Sequence, residues 1–203
     1  LSQFYTLMQP EKVCKVSKGK SKDKPKKEYR GFHPSVLNPS LTDSEYDQVK
    51  GWELDMSGHA EKCVERYCQL TGTSAKNLKK VATPCMDDHT FAPEELTENG
   101  KLSEISARVV LKCLYLASVG RPELLWTVNL LAREVTKWTK ACDRRMEWLG
   151  AYILHNRDHA HVNFVGDPPE DCFLVLFQDA SFAGDLVDSK STSGGLLALV
   201  GPK

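Results

Sequence analysis

Three groups of side chains in this 203-residue sequence have types and spacings that could do chemistry. The first is Asp179. An apolar run over residues 172–177 leads to it, and Asp188-Ser189-Lys190-Ser191-Thr192-Ser193-Gly194-Gly195 then turns the chain into a second apolar run over residues 196–200. Apolar runs bracketing a Ser/Thr/Gly turn predict a β-hairpin, which would hold the carboxylate at a sheet edge. The second group is cationic. Arg133 and Lys137 are spaced one helical turn apart, as are Lys140 and Arg144, so a helical surface could carry a fixed positive face that tracks a phosphate backbone. The third comprises His59, Cys63, Cys68, Cys85 and His89, five borderline-soft donors within 31 residues, the ligand types of a zinc module.

Each group has a plainer reading. Cys63 and Cys68 fall on an apolar helical stripe, where cysteine behaves as a small hydrophobe, and their spacing is not that of a Cys-x2-Cys knuckle, so zinc is not expected. His155, His159 and His161 surround Asn156, Arg157 and Asp158, the text of a helix exit and a solvated turn. Asp185 and Asp188 lie past the strand and read as turn acids. Asp87-Asp88 sits in an acidic stretch and reads as linker. No local signature marks a Cys/His dyad. The seven cysteines are odd in number and scattered, which suits reduced thiols.

The elements that must position these groups follow from periodicity. Ala60, Cys63, Val64, Tyr67 and Cys68 predict a helix from an N-cap at Ser57 to about Gly72. Residues 86–101 read as an acidic linker containing Pro93 and Gly100. Ile105, Val109, Val110, Cys113, Leu114 and Ala117 predict a second helix, capped by Ser103 and ended by Gly120 in the left-handed conformation. Pro122 suits the first turn of a third helix with Leu125, Val128, Leu131, Ala132 and Val135 inward. Thr139 would cap a fourth, with Cys142, Met146, Leu149 and Ile153 inward and Lys140, Arg144 and Arg145 in solvent. Helices followed by strands, without βαβ alternation, predict an α+β chain with a helical subdomain and a separate β element.

Composition frames this. A content of 41% hydrophobic residues can fill a core. No run approaches the roughly 18 apolar residues of a membrane span, and the start has no secretory leader pattern, so an intracellular chain without membrane partners is expected. Neutral net charge conceals an asymmetry, because residues 1–30 carry nine basic side chains against three acidic ones. That Lys-rich arm is expected to be disordered and could contact nucleic acid without reading sequence. Residues 42–49 could form a short helix behind Thr42-Asp43-Ser44-Glu45.

Phe177-Gln178-Asp179-Ala180-Ser181-Phe182-Ala183-Gly184-Asp185 with the following Lys190-Ser191-Thr192-Ser193-Gly194 resembles the opening of the RNase H domain of copia-type retrotransposon polyproteins. Upstream blocks resemble the end of the reverse transcriptase of that family, in its order. They are residues 56–70 followed by Val81-Ala82-Thr83-Pro84, then Leu111-Lys112-Cys113-Leu114-Tyr115-Leu116-Ala117, then Arg121-Pro122-Glu123-Leu124-Leu125-Trp126-Thr127-Val128-Asn129-Leu130-Leu131-Ala132-Arg133, with Glu123 where the family usually has Asp. Residues 136–152 resemble the next helix.

Composition sets off a basic, mostly disordered arm and irregular segment over residues 1–50, and the resemblance implies a helical thumb and connection over 51–165 and the truncated start of an RNase H-like fold over 166–203. It makes Asp179 the first catalytic and metal-binding carboxylate, for Mg2+ or Mn2+ in an intact parent, and gives Arg133, Lys137, Lys140 and Arg144 a template–primer or RNA–DNA hybrid as partner. The other carboxylates of that domain, and the paired acids of the polymerase, would lie outside this sequence. The expectation is therefore a polyprotein segment that is inactive alone and needs no cofactor, with a non-catalytic nucleic-acid-binding or interaction protein as the alternative.

Overall fold

In the computed structural model, residues 5–8, 50–165, 167–182 and 191–202 are described. Of the Lys-rich arm residues 5–8 are described; the rest of it, the short helix expected over 42–49, Asp185 and Asp188 lie outside the described residues. Three short strands, β1 (Tyr5–Met8), β2 (Lys50–Leu54) and β3 (His161–Val165), form a sheet in the order β1-β2-β3. Two further strands form a separate pair, and among the described residues four α-helices follow β2 and precede β3 in the chain, so the chain is mixed helix and sheet. It divides into two compact units, one containing residues 53–161 and the other residues 162–203. No described helix is long and apolar enough to cross a membrane.

Helix α1 spans Ser57–Thr71 and buries Ala60, Cys63, Val64 and Tyr67. Its start is held differently from expectation. Ser57 is already helical, and the Asp55 Oδ1 accepts from the Ser57 N–H at 2.8 Å, taking one of the amides a helix start leaves without a partner. Gly72 closes the helix with φ 70°, the left-handed conformation in which glycine meets no Cβ penalty.

Helix α2 spans Ser106–Gly120 and so begins three residues after the expected cap at Ser103. Residues 101–105 are turn instead, and the Ser106 hydroxyl donates to the Ser103 carbonyl at 3.1 Å. Gly120 is also corrected. It is the last helical residue, and among the described residues Gly72 is the glycine with positive φ. A Cβ at Gly120 would stand 2.7 Å from Met56 Cγ and 3.2 Å from Leu54 Cδ2, so close approach, not handedness, selects glycine here.

Pro122–Leu124 forms a single 3-10 turn that feeds α3, Leu125–Arg133. The inward face is Leu124, Val128 and Leu131, all at 0% exposure, while Leu125, Ala132 and Val135 are only half-buried. Helix α4, Lys140–His155, follows Thr139, whose backbone takes the N-cap position without a capping hydrogen bond from its side chain. Cys142, Met146, Leu149 and Ile153 are buried as the periodicity required. Each such aliphatic side chain contributes about 1.5–3 kcal/mol over an exposed one. One core joins all four helices, from Tyr67 through Leu116 and Val128 to Leu149.

In the second unit, β4 (Phe173–Ser181) and β5 (Thr192–Val200) pair antiparallel, Phe173 opposite Val200 and Ser181 opposite Thr192. Both strands outrun the apolar runs that predicted them. Backbone pairing continues through residues whose side chains face solvent, because the ladder needs only N–H and C=O groups. Phe173, Leu174, Leu176, Phe177, Leu196, Leu197 and Leu199 are each more than half exposed.

Candidate nucleic-acid interface and the Asp179 strand

Strand extension moves Asp179. It lies inside β4, not at its exit, and faces Gly194 across the ladder, with Gln178 opposite Gly195 and Ala180 opposite Ser193. The carboxylate is exposed, and its Oδ1 accepts from the Ala180 N–H at 2.9 Å. The ladder positions around it carry no second acid. A pair of Mg2+ or Mn2+ ions needs an oxygen-rich shell from several carboxylates. The described residues supply one and do not fit such a site, so no metal-dependent step is assigned to them.

The four cations expected to form one positive face divide into two kinds. Arg133 is the last residue of α3 and exposed, and Lys137 is exposed in the separate 3-10 turn Val135–Lys137. The chain leaves the α-helix between them, so they do not share a helical turn. Among the described residues neither makes an ion pair. Lys140 and Arg144, by contrast, are engaged on α4, as is Arg145, which sequence placed in solvent.

Their partners come from residues 87–98, the stretch that reads as linker. Lys140 Nζ pairs with Glu98 Oε2. Arg144 Nη1 lies 2.7 Å from Glu95 Oε2 and Arg145 Nη2 lies 2.6 Å from Asp88 Oδ1. Phe91 is buried beneath both guanidinium groups, 5.0 Å from Arg144 and 4.6 Å from Arg145. Cations over an aromatic face add attraction to the ion pairs.

The segment is therefore docked. It is made of two 3-10 turns, Asp88–Thr90 and Pro93–Leu96. Asp87 Oδ1 accepts from the His89 N–H, and Glu95 Oε2 from the Ala92 N–H, both at 3.0 Å. The Ala92 N–H, then the Arg144 charge, hold the Glu95 carboxyl below its ordinary value. The hydrogen bond and charge of Glu98 raise the Lys140 ammonium. At one end Trp148 Nε1 donates to the Thr83 carbonyl at 2.8 Å. At the other, the Gly100 N–H donates to the Trp138 carbonyl at 3.0 Å. Periodicity could not find these contacts. The one signal in the sequence is the charge order, because Asp88, Glu95 and Glu98 meet Arg145, Arg144 and Lys140 in reverse sequence.

Of the five soft donors Cys63 is buried, His59, Cys68 and Cys85 are half-buried, and His89 is exposed. His59 Nε2 lies 3.2 Å from the Lys112 carbonyl, to which Cys63 Sγ also donates at 3.5 Å. A hydrogen bond from the buried Cys113 thiol lowers the Cys63 pKa, and the same contact together with burial raises that of Cys113. Burial raises Cys68 and Cys85. Cys85 Sγ donates to the Met86 carbonyl at 3.3 Å, while His89 is exposed. Among the described residues no three His, Cys, Asp or Glu side chains are gathered as a metal site. His155 belongs to α4 and bonds the Leu78 carbonyl at 2.9 Å, His159 donates its N–H to Asn156, and His161 opens β3.

Sequence also missed Arg121 as a buried charge. At 1% exposure, its Nε bonds Glu123 Oε1 at 2.5 Å and its Nη1 the Asn156 carbonyl at 3.0 Å. It ties the corner between α2 and α3 to the end of α4, which gives the Arg121-Pro122-Glu123 block a structural role.

The chain matches no family model, no curated protein and no solved structure.

Proposed function

We propose that this chain is the part of a copia-type retrotransposon polyprotein that runs from the reverse transcriptase thumb and connection into the opening hairpin of RNase H. Asp179 is then the first carboxylate of the hydrolytic site, and the helical unit holds template–primer or RNA–DNA hybrid. The observation that carries this reading is Asp179 itself. Its Asp179-Ala180-Ser181 segment lies in β4, paired antiparallel with β5, and the Asp179 carboxylate is exposed. The upstream blocks stand in the family's order before it. Of the four cations expected on this face, Arg133 and Lys137 are exposed and make no ion pair among the described residues, so they can contact phosphates, which are held without base readout.

A second reading is a non-catalytic nucleic-acid-binding piece of the same origin, with the Lys-rich residues 1–30 as its contact. Asp179 is the one acid among the described residues of β4 and β5, which favours it, because one carboxylate does not hold two metal ions.

One experiment separates the two. The transcript is sequenced beyond codon 203, and the chain so extended is assayed on an RNA–DNA hybrid with Mg2+. Cleavage lost in Asp179→Asn supports the first reading. An open frame lacking downstream Glu and Asp residues, or cleavage indifferent to Asp179→Asn, overturns it.

A further inference from the structure

We infer that residues 87–98 are a self-mask, so that a polyanionic backbone reaches Lys140, Arg144 and Arg145 only by displacing this segment from α4. The inference rests on the reading that the helical unit contacts nucleic acid, and adds a competing contact to it.

Three observations carry it. First, three acids of one segment pair one-to-one with three cations of one helix. Carboxylates at those positions occupy the places that phosphate oxygens would take, since guanidinium groups recognise both through the same forked N–H donors. Second, the two partners are unequally held. Helix α4 buries eight residues in the core, from Ala141 to Ile153. The segment consists of 3-10 turns of three and four residues, and Phe91 is its one buried side chain. Elements with few buried apolar contacts open first. Third, the mask does not satisfy its site fully. Arg145 Nε is buried without a hydrogen-bond partner, a donor that a phosphate could use.

The anchors make displacement reversible. Trp148 holds Thr83 before the segment, and Asp143 holds the Lys101 and Leu102 amides after it. A released mask stays tethered and returns at high effective concentration. Competition of this kind discriminates against short or weakly charged ligands, because only a run of phosphates replaces all three carboxylates.

The test uses the full chain and a labelled RNA–DNA hybrid. A variant carrying Asp88→Asn, Glu95→Gln and Glu98→Gln keeps the segment's shape and removes its charge. A control carrying Glu61→Gln, Glu65→Gln and Glu104→Gln changes net charge equally at other exposed sites. The mask variant is expected to bind on the order of tenfold more tightly than the control at low salt, with a steeper salt dependence. Adding Arg144→Gln and Arg145→Gln should remove that gain.

Inorganic polyphosphate is the second probe. A gain for polyphosphate but none for hybrid supports the mask and overturns the nucleic-acid reading. Equal affinities of mask variant and control for both probes overturn the mask. If the triple variant fails to fold by circular dichroism, Glu95→Gln alone decides, with about a twofold gain supporting the mask and none overturning it.

Discussion

Trp138 Nε1 donates to Asp143 Oδ1 at 2.7 Å, and the same carboxylate accepts from the Lys101 N–H at 2.6 Å and the Leu102 N–H at 3.1 Å. One side chain of α4 thus fixes the indole before the helix and the chain entering α2. The isolated bridge between Asn99 and Thr139 lies in the same junction.

Asp143→Ala should therefore cost about 2–3 kcal/mol, because it leaves three donors without their acceptor in a partly buried site. Asp143→Asn should cost less, since it retains one acceptor oxygen. Urea denaturation of the full chain measures both, and equal stability of wild type and Asp143→Ala would show that this carboxylate does not hold the junction.

Three glycines should respond to alanine in different senses. Nothing lies within 4 Å of a Cβ at Gly58 in α1, so Gly58→Ala should stabilise by about 0.5 kcal/mol through helix propensity. At Gly120 the new methyl would stand 2.7 Å from a buried Met56 side chain, giving a loss of about 1–2 kcal/mol. Gly100→Ala should be the worst of the three, because its methyl would meet the Thr139 backbone oxygen at 2.4 Å, an atom that no rotamer change can move. Thermal melts rank them.

Docking of residues 87–98 should depend on pH in a defined direction. The Glu95 carboxyl is held below its ordinary value, so its contribution is complete above the unfolded pKa and fades as pH falls through the lowered folded one. The Lys140 ammonium is raised, so its contribution is complete below the unfolded value and fades only as pH rises through the higher folded one. The ring resonances of Phe91 should report release in acid below the ordinary carboxylate range, and Glu95→Gln should shift that transition. An unchanged Phe91 environment through acid pH would contradict the ion pairs as its anchor.

Amide exchange should separate the two units. Helices α2 and α4 carry the shared core and should exchange slowly, while β4 and β5 expose apolar side chains along their length and should exchange fast. Asp179→Asn should change stability by no more than about 0.5 kcal/mol, since the carboxylate is exposed and, among the described residues, bonds its neighbour's amide alone. Strong protection of both strands in a demonstrated monomer would show that the hairpin is held by more than its own ladder.

Much of this protein was legible in its residues alone. Apolar side chains at helical spacing identified the four described helices and the buried positions Cys63, Val109, Val128 and Leu149, because burial of a stripe is a local demand that every solution of the fold must meet. The Ser/Thr/Gly turn before the last apolar run identified the hairpin, and Gly72 the end of α1. Local text did not say that Gly120 is selected by Met56, that Asp179 lies within a strand, or that an acidic stretch is a docked segment. Those outcomes depend on what arrives from elsewhere in the chain. Asp88 meets Arg145 across 57 residues and Glu95 meets Arg144 across 49, and a charge has no periodicity to announce its partner. Tertiary structure alone decided which cations remain open to a ligand, leaving Arg133 and Lys137 exposed and engaging the row on α4.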